Sequence, residues 1–161
     1  MRLRRDGTLG SDGWRDGRAP ALSRRDRAEL LAVADADALI QLADRCLEGE
    51  LPPELSGPPE VGVVPLSVRE PVVGQRFLLT DVLVTRAEVR HRGQIGWAMR
   101  LGDEPAATLA AAICDAEAAA GARLSGAVEA LCWATARAQE IDAAAEWTEL
   151  AATEVHFEEL T

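Results

Sequence analysis

Apolar residues recur at helical spacing through Leu31, Ala34, Ala38, Leu42 and Cys46, while Asp35, Asp37 and Asp44 lie elsewhere around the turn. This period predicts one amphipathic helix over about residues 24–47. Ser23 followed by Asp26 resembles a capping box with the shorter acid, which marks where the helix starts. Pro52-Pro53 and Gly57-Pro58-Pro59 then predict an extended linker, because successive prolines fix backbone dihedrals and remove hydrogen-bond donors.

Beyond the linker the period changes to two. Val61 to Arg69 reads as a strand that Pro65 pushes toward a sheet edge or a bulge. Residues 76–90 form a long central strand. From Leu78 to Val84 it is apolar on both faces apart from Thr80 and Asp81, which predicts cover on both sides. Gln94 to Leu101 alternates, with Ile95, Trp97, Met99 and Leu101 expected inward and Gln94, Gly96, Ala98 and Arg100 outward. His91-Arg92-Gly93 is the hairpin turn between the two strands.

Helical spacing then returns. Asp103 is placed to cap a helix that tolerates Pro105 in its first turn and ends at Gly121. A longer helix follows from about Ser125 to Ala151, with Val128, Leu131, Ala134, Ala138, Ile141 and Ala145 along one side. Thr153 to Phe157 alternates again and is a candidate terminal strand. The expected architecture is α+β: an antiparallel sheet with an N-terminal helix and two C-terminal helices packed on it. Residues 1–22, rich in Gly, Asp and Arg with little to bury, are expected to be a disordered arm before a single domain over 23–161.

Composition narrows the function classes. The 161 residues carry a net charge of −10, unevenly spread. Eight arginines against four aspartates between Arg2 and Arg27 give +4, so the remainder carries −14. Such a field disfavours nucleic acid and anionic membranes as partners. No apolar run has the length of a membrane span, and the polar start of the chain lacks the apolar centre of a signal peptide. Cys46, Cys114 and Cys132 have neither metal-ligand nor disulfide spacing; Cys46 and Cys132, at helical apolar positions, read as small buried free thiols, in keeping with a cytoplasmic protein.

No phosphate loop, dinucleotide fingerprint, metal cluster or nucleophile motif is present. His91 and His156 are isolated in sequence, and the four tryptophans lack the spacing of a stacking platform, so packing is their default. The arginines say more. Arg86, Arg90, Arg92 and Arg100 against the single acid Glu88 make a basic patch on an acidic body. Arg86, Glu88 and Arg90 share one strand face, where guanidinium groups can grip a carboxylate, a phosphate or an acidic partner. The plainer reading pairs Glu88 with the arginines beside it on a solvated face. Asp81 has the opposite strand parity to Arg86, so those two would meet only across a bulge.

The run from Phe77 through Asp81, Thr85-Arg86 and Val89-Arg90 to the turn glycine resembles the central signature of the PhnG family, the G subunit of the bacterial carbon–phosphorus lyase core complex. The likeness extends from about Arg24 to Thr161. Arg69 and Gly74 stand at the ends of a loop that is glycine-rich in the family but reads Glu70-Pro71-Val72-Val73 in between. Gly93-Gln94-Ile95-Gly96-Trp97 is similar to the family's second strand, whereas the family's Gly-Arg-Asp reads Gly102-Asp103-Glu104. Ala111 to Ala116 resembles its Ala-Ala-x-x-Asp-Ala helix, and Ala152 to Phe157 its C-terminal ending.

The resemblance implies a subunit that, with subunits H, I and L, serves to transfer the ribose triphosphate moiety of ATP to a phosphonate, giving ribose 1-methylphosphonate 5-triphosphate when the phosphonate is methylphosphonate. Subunit J then breaks the carbon–phosphorus bond with a radical iron–sulfur cluster. ATP is thus a co-substrate of the complex, and no cofactor is expected in this chain. The expected partners are the other core subunits and the ATP-binding-cassette-like L subunit. A non-catalytic role in the transferase is expected, with no catalytic or metal-binding residues. Arg69, Asp81, Thr85, Arg86, Arg90 and Arg100 are the partner- or anion-binding candidates. The competing reading, motivated by the two altered loops, is an α+β interaction module that kept the fold and lost the phosphonate role.

Overall fold

A computed structural model describes residues 22–151; residues 1–21 and 152–161, which hold the expected N-terminal arm up to its last residue, the candidate terminal strand and His156, lie outside them, and Leu22, expected to end the arm, is buried in the core. The described chain is α+β, with four helices and one antiparallel four-stranded sheet. Its elements are α1 (Arg24–Val33), α2 (Ala36–Leu47), β1 (Glu54–Leu55), β2 (Glu60–Arg69), β3 (Arg76–His91), β4 (Gln94–Leu101), α3 (Pro105–Ala119) and α4 (Ser125–Ala151).

The single N-terminal helix expected from periodicity is two. Ala34 leaves α1 with extended backbone, and Asp35 starts α2 as its N-cap, its carboxylate accepting from the Ala38 N–H at 2.9 Å. An Asp favours such a cap over a helix interior, because its short side chain satisfies an orphan N–H. Ser23 caps α1 in the expected way, its hydroxyl accepting from the Asp26 N–H at 3.1 Å. At the other end of the fold the expected Asp103 cap is not used. Glu104 holds the N-cap position of α3, and its side chain turns to Arg100 instead.

β3 is the spine of the sheet. β4 pairs with its second half, from Val84 to His91. β2 pairs with Arg76 to Arg86, and β1, short and within the expected linker, pairs with Val89 and Arg90. Because Val84 to Arg86 and Val89-Arg90 also pair with β4, β1 and β2 both lie on the flank away from β4. β2 is an edge strand with Pro65 opposite Asp81 and a register shift between Leu66 and Ser67, both anticipated by the proline. The β3–β4 turn has positive φ at Arg92 (49°) and Gly93 (75°), as a tight two-residue hairpin requires.

The burial of β4 is the reverse of the one its large apolar residues suggest. Gly96, Ala98 and Arg100 are buried, whereas Ile95, Trp97 and Leu101 are exposed. The cause is α3, an alanine-rich helix laid directly on the small side chains. A Cβ on Gly96 would stand 1.9 Å from the Ala112 carbonyl oxygen. Close backbone approach, rather than side-chain bulk, therefore chooses the inner face. Thr85, Ala87, Val89 and His91 complete that face on β3, and α1, α2 and the first half of α4 close the core with Leu31, Leu39, Cys46, Val128 and Cys132.

Two parts project from this core. From Ala138 to Leu150 every residue of α4 is exposed, Trp147 and Ile141 included. The half of β3 before Val84 pairs only with β2, and this two-stranded arm exposes Val61, Val63, Leu66, Phe77, Leu78, Leu79 and Leu83. The cover expected on both sides of β3 is thus missing from this arm within the described residues.

Candidate functional site

Three residues at the inner face lock helices to the sheet. Thr85, fully buried, donates its hydroxyl hydrogen to the Gly102 carbonyl at 2.7 Å and accepts from the Glu104 N–H at 3.0 Å, so it holds the turn into α3. Arg100, 7% exposed, donates to the Leu31 and Ala34 carbonyls, each at 2.9 Å, and to the Glu104 carboxylate at 2.8 Å. A cation at the unsatisfied carbonyls of α1 both caps that helix and complements its dipole. Asp115 on α3, 1% exposed, accepts from Arg27, from Arg24 and from the Trp97 N–H. Arg27 is buried with it. Thr85 and Arg100, named from the sequence as binding candidates, therefore spend their hydrogen bonds inside the fold.

The opposite face of the sheet is open. On it Arg86, Glu88 and Arg90 of β3 lie beside Met99, Trp97 and Ile95 of β4, a charged row against an apolar one. The charges are matched in pairs, though not as the sequence suggested. Arg86 binds Glu60 of β2 through two nitrogens, at 2.9 and 3.1 Å; Glu88 accepts from the Ser56 hydroxyl at 2.8 Å; Arg90 stands 3.9 Å from Glu54. Glu88 thus pairs with neither flanking arginine, because the extended β1–β2 segment brings Glu54 and Glu60 alongside. A shallow cavity of about 120 Å³ opens here, lined by Ser56, Gly57, Pro58, Glu60, Arg86, Ala87 and Glu88. With two carboxylates to one guanidinium its lining does not favour an anion, and its chemistry suits contact with a protein surface better than capture of a phosphate.

The remaining candidates lie on the arm. Arg69 donates to the Gly74 carbonyl at 2.8 Å and closes the hairpin between β2 and β3. Inside that loop the Glu70 carboxylate accepts from the N–H groups of Val72, Val73 and Gln75. These bonds, that of Val72 foremost, hold its carboxyl below the usual carboxylate range. The amides of the altered loop are therefore occupied by the chain's own anion. Asp81 is exposed, opposite Pro65, and does not meet Arg86.

Beneath the sheet, Glu117 is fully buried, accepting from the Leu124 N–H at 2.8 Å and paired with Arg92 of the hairpin turn at 2.8 Å; His91 Nε2 lies 3.7 Å away. All three cysteines are free and buried. Burial pushes the Cys132 thiol up to about 12, and a hydrogen bond to Cys46 together with burial raises that of Cys114. Among the described residues no group of His, Cys, Asp and Glu is placed to hold a metal ion.

Sequence reasoning did not single out Arg27, Asp115 and Glu117 as buried charges. Asp115 and Glu117 showed only as polar interruptions of the apolar α3, and Arg27 did not stand out among the charged residues that open α1. Among the described residues no helix is long and apolar enough to cross a membrane.

In comparison with known proteins, a family model described as "phosphonate metabolism protein PhnG" matches residues 22–161, most of the chain. No curated protein matches it.

Proposed function

Because the chain belongs to the PhnG family of phosphonate metabolism proteins, we propose that it is a non-catalytic subunit of a carbon–phosphorus lyase core complex. In this reading it supports subunits H, I and L as they transfer the ribose triphosphate moiety of ATP to a phosphonate. The observation that carries the reading is the family match over residues 22–161. What the chain offers beyond its core agrees with a supporting role. It presents an open sheet face with a charged row against an apolar row, an uncovered apolar arm and an exposed helix end, which suit docking to other subunits. The buried polar residues Thr85, Arg100 and Asp115 are committed to holding helices on the sheet.

Co-expression with subunits H, I and J tests the proposal. The expected result is a stable complex, with subunit I as the main contact, that survives dilution to micromolar concentration in size-exclusion chromatography. Elution of this chain as an independent, folded species beside the other subunits would refute the assignment to the complex and favour the interaction-module reading, to which the self-occupied Glu70 loop lends support.

A further inference from the structure

The first half of β3 is an open sheet edge. β4 ends at Leu101 opposite Val84, and the Gly102 N–H makes the last bond on that flank, to the Leu83 carbonyl at 2.9 Å. Main-chain groups alternate sides along a strand, so the N–H and carbonyl of Asp81, two residues on, face the same open flank. Across from Asp81 sits Pro65, which has no N–H to give, and the Asp81 carbonyl accepts a bond of 3.3 Å from the neighbouring Thr80 hydroxyl, which leaves its second lone pair for a donor from across the edge. β2 is a poor template at its own outer edge for the same reason, since Pro65 interrupts its row of donors.

The side chains on this edge carry a pattern that complements itself. Phe77, Leu78 and Leu79 are 47%, 61% and 57% exposed, and they are flanked by Arg76 on one side and Asp81 on the other. Among the described residues neither Arg76 nor Asp81 has an ion-pair partner. Arg76 pairs with Arg69 and Asp81 with Pro65, and these two partners share a face of β2, because they are an even number of residues apart. The extra residue in β3, Leu79, thus brings Arg76 and Asp81 onto one face although their own numbers differ in parity.

We propose that this edge pairs with the same edge of a second copy of the chain, antiparallel about a two-fold axis between Leu78 and Leu79. Arg76 of each copy then lies opposite Asp81 of the other, Phe77 opposite Thr80 and Leu78 opposite Leu79. A two-fold axis perpendicular to the sheet keeps each side chain on its own face, so the Arg76–Asp81 pair forms twice, once at each end, and encloses the apolar residues between. The joint sheet runs β2, β3, β3, β2, with the two cores at opposite ends.

Sedimentation equilibrium of the full chain, with circular dichroism as a check on folding, tests this. The wild type is expected to dimerise reversibly at micromolar concentration. Asp81→Arg and Arg76→Asp, both at exposed positions, should each weaken the dimer on the order of tenfold by setting like charges opposite one another. The combined variant Arg76→Asp with Asp81→Arg restores the pairing and should return to the wild-type constant. A monomeric wild type, single variants that dimerise as tightly as wild type, or a combined variant that does not recover would each overturn the proposal. Hydrogen exchange supplies the backbone readout: the Asp81 amide should slow on dimerisation, and a dimer that leaves it unprotected would place the contact elsewhere and overturn the pairing.

Discussion

Asp115 and Arg86 carry the same kind of charge pair in opposite surroundings, and burial decides what each is worth. Asp115 is buried with Arg27, so Asp115→Ala leaves a guanidinium unpaired out of water and should cost on the order of 3–5 kcal/mol, read as a lower urea midpoint at unchanged slope. The Arg86–Glu60 pair is more than half exposed on both sides, and Arg86→Ala should cost no more than about 1 kcal/mol in the same assay. Cys132 adds a pH dependence. Its folded thiol, pushed up to about 12, binds its proton more tightly than the unfolded thiol near about 8.5. The stability it contributes is therefore complete below about pH 8.5 and falls as pH rises toward the folded value. Urea titrations at about pH 7 and about pH 10 should show a loss that is smaller in the Cys132→Ala variant, the remainder coming from Cys114, whose thiol is also raised. In the native state at neutral pH the thiol should also resist a disulfide reagent, since the reactive thiolate is scarce.

Elements were legible where periodicity and chain breakers agreed. α4, β2, β3, β4 and the Pro65 irregularity follow from spacing and from Pro and Gly positions. The inner face of β4 was not legible, because alternation reveals two faces without saying which one meets a helix. Bulk pointed to Ile95 and Trp97, while the contact with α3 is set by the absence of a side chain at Gly96. Gly96→Ala should consequently be among the most damaging small substitutions: the backbone of α3 must shift, at a cost of about 3 kcal/mol or more, with loss of the native near-ultraviolet spectrum at temperatures where wild type retains it. The break between α1 and α2 was partly legible, since Asp35 is a good N-cap but sits at a position compatible with one long helix. The candidate residues divide along the same line. Thr85 and Arg100 stood out by type, but sequence gives no measure of enclosure, and the buried carbonyls that Arg100 caps lie 66 and 69 residues away.

At the scale of the molecule, the arm, the outer sheet face and the end of α4 expose large apolar side chains among the described residues, which suits the proposed place in an assembly. The proposed role has this chain support a ribose-triphosphate transfer without performing it, and phosphorus NMR of ATP and methylphosphonate incubated with the purified chain, and with the chain together with subunits H, I and L, puts that role to the test. The expected result is no new phosphonate ester signal from the chain alone and ribose 1-methylphosphonate 5-triphosphate from the reconstituted set. Formation of that product by the chain alone, or undiminished formation by the other subunits when this chain is left out, would contradict it.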